Sequence, residues 1–344
     1  MTPVIPYYVR GHTAEGLVNF VESNLEGIEN IYVLSHPSHQ VLSDVLWKMV
    51  KDNDRKRTYE KIYSPYLANG LEGIIFREAS YAILSVDVFD NDIATKIDVT
   101  KWLPYTKKLE EYNEVKELRQ KAYEQFSEAL HIHDDLEKVY IDEMDFAKAD
   151  KVADQLLEQI FSKVPKRKNP AHMYKRIFGT NTIGGALNKV EELLAPINNR
   201  IYVKGRAGTG KSVLLKKVID QSMAYGYDVE VYRCSFDPQS VDMVMIRELD
   251  YCLFDSTAPH EFFPTQKTDQ VVDLYEETVR SGTDEKYAKK IQQITKEYQL
   301  GMKKGLAHIQ QLETFPMFQA ITNESIDEDY ATRLQKVIQE IKIK

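Results

Sequence analysis

The 344-residue sequence predicts an α/β fold, a mainly parallel sheet set between helices and built twice in tandem. Two observations carry that expectation. Short apolar runs rich in β-formers alternate with longer runs of helical periodicity, the pattern of strands joined by crossover helices. The chain also repeats itself at a fixed offset. Ile31-Tyr32-Val33 returns as Ile201-Tyr202-Val203, Arg77-Glu78 as Arg247-Glu248 and Tyr81 as Tyr251, each 170 positions on (201 against 31). Gly11–Leu17 loosely parallels Gly179–Gly185. A constant spacing across separate segments marks a duplication.

Taken in order, each copy is expected to open with a helix, Leu17–Leu25 and Ala186–Leu194. A strand, a loop and a helix follow, beginning at Ile31 and Ile201. The next strand is Asp228–Cys234, with a weaker counterpart at Glu60–Tyr63. Paired apolar stretches come after it, Val241–Ile246 and Tyr251–Phe254, mirrored by Leu71–Phe76 and Tyr81–Leu84. The back of each copy is amphipathic helix: Lys107 to about Tyr140, then a segment after Asp145, a capping residue, to Phe161. The second copy repeats this with Glu285–Leu312 and Asp327–Ile341. Two long helices with a short link predict an antiparallel hairpin, packed on the sheet or projecting to grip a partner protein. The copies are placed at 1–165 and 166–344, with hairpins over about 104–163 and 284–342. Pro165 and Pro170 flank the basic linker residues Lys166, Arg167 and Lys168, with Lys163 just before them.

The strand at Ile201–Val203 runs into Gly205-Arg206-Ala207-Gly208-Thr209-Gly210-Lys211-Ser212. This satisfies G-x-x-x-x-G-K-[ST], the phosphate-binding P-loop. Gly205 and Gly210 permit backbone angles and approaches that a Cβ would block. Loop N–H groups can then converge on phosphate oxygens at a helix N-terminus. The segment Gly205 to Val213 is the expected nucleotide-binding set. Lys211 is assigned to the β- and γ-phosphates and Ser212 to Mg²⁺. Downstream, Val213, Leu214, Leu215, Val218 and Ile219 supply the helical apolar pattern the motif requires.

A second acidic anchor for the metal is expected at the end of a neighbouring strand, and Asp255 in Tyr251–Asp255 fits, unless it only caps the following turn. Asp237, before Pro238, reads either as a substrate-side carboxylate or as turn chemistry. His260 reads as a ligand contact or as a loop histidine. Arg247 recurs as Arg77 in the copy without a P-loop, which points to a structural ion pair. At the P-loop position the first copy reads Leu34–Ser43, with no glycine and no lysine, and Pro37 has no N–H to donate. That copy is expected to bind no phosphate and to serve as a structural or regulatory half.

Composition narrows the class. The 43% hydrophobic content supports real cores, and a net charge of −8 argues against a nucleic-acid coat or an anionic-membrane binder. Cys234 and Cys252, in apolar runs, read as reduced thiols. Residues 1–6 carry neither a basic nor an apolar leader pattern, and no apolar run approaches a membrane span. A soluble, cytoplasmic protein is expected.

With the repeat, Gly205–Ser212, Tyr227–Tyr232, Ser235–Pro238 and Ser256–His260 in view, the chain resembles uncharacterised bacterial ATPases built from two fused P-loop halves, each with a helical hairpin. The resemblance covers nearly the whole chain and is most specific from Ile201 to His260. It implies ATP binding and Mg²⁺-dependent hydrolysis. In that family both halves often keep an intact loop, whereas here only the second does. Lys211 and Asp255 are the expected catalytic residues. A small-molecule phosphotransferase and a non-catalytic nucleotide switch acting on a partner through the hairpins remain the alternatives.

Overall fold

In the computed structural model, which describes residues 4–53, 58–105, 112–258, 261–319 and 328–342, strand follows helix twice over in the same order. The first copy contains β1 (Val4–Tyr7), β2 (Arg10–Thr13), β3 (Gly16–Asn19), α1 (Val21–Asn24), β4 (Asn30–Ser35), α2 (His39–Asn53), β5 (Tyr59–Tyr63), β6 (Leu71–Phe76), β7 (Tyr81–Ser85), β8 (Thr95–Asp98), α3 (Tyr112–Ile141) and α4 (Phe146–Phe161). The second contains β9 (Met173–Ile177), β10 (Gly179–Thr182), β11 (Gly185–Asn188), α5 (Val190–Leu194), β12 (Asn199–Lys204), α6 (Lys211–Ala224), β13 (Val229–Arg233), β14 (Val241–Ile246), β15 (Tyr251–Asp255), β16 (Gln270–Asp273), α7 (Leu274–Thr278), α8 (Thr283–Lys286), α9 (Ala288–Gln311) and α10 (Glu328–Lys342).

Two six-stranded sheets result, ordered β1-β5-β6-β7-β4-β8 and β9-β13-β14-β15-β12-β16. Each position of one order matches the corresponding position of the other, as a duplicated α/β unit requires. The sheets are mostly parallel. The exceptions are β6 and β14, which run against both neighbours. An antiparallel bridge between Tyr8 and Ile177 joins the two edges beside β1 and β9.

The joint is built around one arginine. Arg176, 2% exposed, lies 2.7 Å from Glu230 and 3.3 Å from Glu60, and its guanidinium stacks on Tyr7 at 3.6 Å. Glu60 also pairs with Arg77 and Glu230 with Arg247, so the recurring arginines are the structural ion pairs the repeat suggested. Burial would raise the Glu230 carboxyl, but Arg176 and Arg247 outweigh it and hold the group at about 2.

Three expectations need correction. The first concerns the helices expected at Leu17–Leu25 and Ala186–Leu194. Their front halves are instead strands β3 and β11 of two hairpins, β2–β3 and β10–β11. Gly16 and Gly185 take φ of +100° and +108° at the turns, a conformation that interrupts any helix, and helix begins only at Val21 and Val190. The loose parallel upstream is accordingly shifted by one residue, because Gly16 matches Gly185.

The second concerns the helical hairpins. The long helices exist, and Asp145 caps α4 by accepting the Lys148 N–H at 3.1 Å. Yet α3 packs lengthwise against α9 of the other copy rather than against α4. The pairing is antiparallel, with Phe126 at Gly305, Ala129 at Gly301 and Glu143 at Tyr287. Gly301 and Gly305 let the helices approach closely, since a Cβ on Gly305 would stand 2.4 Å from the Phe126 ring.

The third follows from the second. α4 buries Ala153, Leu156, Ile160 and Phe161 against α6 and the second sheet, while α10 buries Leu334, Val337, Ile338 and Ile341 against α2 and the first sheet. The copies have exchanged their last helices. Each fully buried aliphatic side chain stabilises the fold by roughly 1.5–3 kcal/mol, so each exchanged helix contributes a substantial part of the other copy's core.

Among the described residues, no helix is long and apolar enough to cross a membrane.

Candidate functional site

β12 delivers the chain to the loop, and α6 begins at Lys211 with Gly210 as its N-cap, at φ +83°. Gly208 takes φ +75°. The loop is braced internally: the Thr209 hydroxyl donates to the Arg206 carbonyl at 2.9 Å and accepts the Arg206 N–H at 3.2 Å. A Cβ on Gly205 would sit 2.4 Å from that hydroxyl, so the first glycine makes room for the brace. The N–H groups of Gly208 and Gly210 make no hydrogen bond among the described residues. These amides, next to the first turn of α6, are donors left open to an anion.

Lys211 folds back over the loop. Its Nζ donates to the Arg206 carbonyl at 2.7 Å and lies 3.7 Å from Asp255 Oδ2. Asp255 is there because β15 pairs in parallel with β12, with Val203 opposite Asp255. Its other oxygen accepts the Thr257 N–H at 2.9 Å, so it faces the lysine and caps the turn at once. The Ser212 hydroxyl accepts the Val241 N–H at 3.0 Å, a bond that Ser43 repeats with Leu71 in the copy without a P-loop. One lone pair of Ser212 is thus committed to the scaffold and one is left for a cation.

The remaining expected residues divide. Arg206 turns outward, pairing with Asp284 at 3.0 Å and stacking on Tyr275, which keeps its charge beside α8. Val213 is 59% exposed on the first turn of α6. Asp237 accepts the Gln239 N–H at 2.9 Å, which is turn chemistry. Arg233 donates to the Gln239 carbonyl. Arg167 of the linker pairs with Glu248 and lies over Tyr227. His260 and Pro259 lie outside the described residues.

Sequence reasoning missed Asp242. The β14–β15 register places Met243 opposite Phe254, and one step further brings Asp242 opposite Asp255 on the same face. Burial, reinforced by the Asp255 charge, pushes the Asp242 carboxyl up to about 7, against the pull of Lys211. It accepts a hydrogen bond from the Cys234 thiol, and comparison of the copies explains why no arginine pairs with it. Its counterpart Glu72 is clamped by Arg10 at 2.5 Å, and the position matching Arg10 in the second copy is Gly179. The signal was available: one carboxylate inside the apolar run Val241–Ile246.

A wall of the first copy's α3 closes over the loop. A Cβ on Gly208 would meet the Glu137 carbonyl at 2.6 Å, and Ala207 packs with Leu136, Val139 and Tyr140. On the same helix His133 is wedged between Phe236 and Tyr298, where burial lowers its pKa. Burial also raises Glu137, helped by Asp134 and Asp237.

Among the described residues, no three His, Cys, Asp or Glu side chains form a metal cage. The oxygens of Ser212, Asp255 and Asp242 are hard donors, the kind that a hard cation takes when phosphate and water complete its shell. Comparisons with protein-family models, curated proteins and solved structures found no match.

Proposed function

We propose that the chain binds ATP on the loop Gly205–Ser212 and hydrolyses its terminal phosphoanhydride with the help of Mg²⁺. The observation that carries this reading is the convergence of Lys211 Nζ, Asp255 and the free Gly208 and Gly210 amides at the junction of β12 and α6. The amides and Lys211 would bind the β- and γ-phosphates and stabilise charge developing on the γ-oxygens. Ser212 and Asp255 would hold the cation, with Asp242 beside them. When bound, Mg²⁺ supplies charge neutralisation on the phosphates. Lys211 would exchange its present contact with the Arg206 carbonyl for the phosphates, which keeps the ammonium's cost of movement small. ATP is preferred to GTP only because no Asn-Lys-x-Asp type base-reading motif follows the loop.

The test is steady-state phosphate release with Mg²⁺ and ATP. Turnover at or above about 0.01 per second, lost in Lys211→Ala and in Asp255→Ala, is the expected outcome. Nucleotide binding without release would remove the hydrolase reading. Lys211→Ala binding and turning over like the parent would remove the site.

One observation favours a second reading, a switch that acts on a partner protein. The Glu137 backbone of α3 lies against Gly208, so a phosphate chain settling on the loop would press near one end of a 30-residue helix of the first copy that runs along α9. Tight binding with negligible turnover, accompanied by altered amide exchange in α3, would identify it.

A further inference from the structure

The first copy lost its P-loop but kept a cavity where the loop would be. About 500 Å³ of space opens at the C-terminal ends of β4, β7 and β8, beneath the first turns of α3 and against Met317 and Phe318, which follow α9. In parallel α/β sheets this is the end at which ligands bind.

Its polar lining sorts into committed and free groups. His36 uses both ring nitrogens, one toward the Leu103 carbonyl and one accepting the Ser38 N–H. Asp98 accepts from the Thr100 N–H and hydroxyl. Asp87 lies 3.3 Å from His39. Arg119 and Lys116 differ: neither has a carboxylate within 4.0 Å among the described residues. Arg119 spends one N–H on the Tyr66 hydroxyl, at 3.0 Å, and its guanidinium lies beside the Tyr123 hydroxyl, yet its buried Nε has no hydrogen-bond partner among the described residues. A buried guanidinium N–H without an acceptor is costly and calls for one.

The other walls are aromatic. Phe318 stacks on His39 at 4.8 Å and leans on Tyr66 at 5.1 Å, and Tyr112 stands half-exposed at the mouth. The turn Ser35–His39 carries no glycine, Pro37 has no N–H, and the Ser38 and His39 N–H groups are spent on His36 and on the Met317 carbonyl, so among the described residues no nest of amides is left for a polyphosphate chain.

We propose that this cavity binds a small organic monoanion or phosphomonoester with a planar body, its anionic group on Arg119 and Lys116 and its ring among Tyr66, Tyr112 and Phe318. Arg119 offers a fork of donors to a carboxylate or phosphate, and the ring faces receive a flat apolar group. The site is separate from the intact P-loop and does not depend on the function proposed for it.

Phenyl phosphate and benzoate are the probes, titrated calorimetrically into the full-length protein and into Lys211→Ala, with inorganic phosphate as a third titrant. Probes of this size are expected to bind in the millimolar range. Support is one site per chain, retained in Lys211→Ala, weakened about tenfold or more in Arg119→Gln and several-fold in Lys116→Gln. Lys116 is exposed, so the second variant will fold even where the first does not. Preference between the two probes tells a carboxylate ligand from a phosphate one, and inorganic phosphate binding as tightly as phenyl phosphate would refute the aromatic half of the site. The proposal fails if neither organic probe binds at about 10 mM, if binding disappears in Lys211→Ala, or if Lys116→Gln and Arg119→Gln bind as the parent does.

Discussion

Asp242 shows how one side chain changes meaning when its partner is removed. In the first copy the matching Glu72 is neutralised by Arg10. In the second, Gly179 leaves Asp242 facing Asp255, and burial together with that charge pushes its carboxyl up to about 7. An unfolded aspartate titrates near 4, so between about pH 4 and 7 the folded chain holds a proton that the unfolded chain has released. Stability therefore falls as pH rises through that window. In metal-free buffer, Asp242→Asn is expected to lie close to the parent at pH 4.5 and to exceed it by up to about 4 kcal/mol at pH 8, a gap of roughly 5 °C in thermal midpoint. Added Mg²⁺ should narrow the gap by placing positive charge between the carboxylates. Parallel pH profiles for the two proteins would show that the repulsion is absent.

At the scale of single elements, the glycine-rich loop and its flanking strand and helix were legible because local chemistry specifies them: a fixed glycine and lysine spacing, β-formers before, helical periodicity after. Asp255 followed from the same logic. The hairpins β2–β3 and β10–β11 were not legible, because Leu17, Val18 and Val21 keep an apolar spacing that helix and strand both tolerate. Only the positive φ at Gly16 and Gly185 decides between them. Loop glycines also differ in what they must avoid. Gly27 and Gly208 share a left-handed φ of about the same size, but a Cβ on Gly27 meets nothing while one on Gly208 meets the Glu137 backbone. Gly27→Ala should cost about 1 kcal/mol from backbone strain alone. Gly208→Ala should cost at least about 2 kcal/mol more, since α3 must also move. Denaturant unfolding of both variants measures the difference. Equal losses would mean that α3 does not press on the loop.

The exchange of helices belongs to the whole molecule, and sequence periodicity had no means of revealing it. The apolar stripes of α4 and α10 declare that each helix buries one face, but not which copy receives it. Reciprocity makes the copies interdependent: the P-loop helix α6 is backed by residues 146–161, and the loop-less copy's α2 by residues 328–342. Leu156→Ala and Ile338→Ala each open a cavity costing about 2–5 kcal/mol, and the cost should fall on the receiving copy. Peptide-resolved hydrogen exchange under native conditions is expected to show Leu156→Ala speeding exchange in 211–224, and Ile338→Ala speeding it in 39–53, before global unfolding contributes. Loss of protection in the opposite pairing, α2 for Leu156→Ala and α6 for Ile338→Ala, would return each helix to its own copy. The exchanged arrangement also gives the copy without the glycine-rich loop a structural part in the other. Its α3 walls the intact loop and its α4 completes the intact copy's core, so the second copy's site depends on the first copy's chain for both its enclosure and its support.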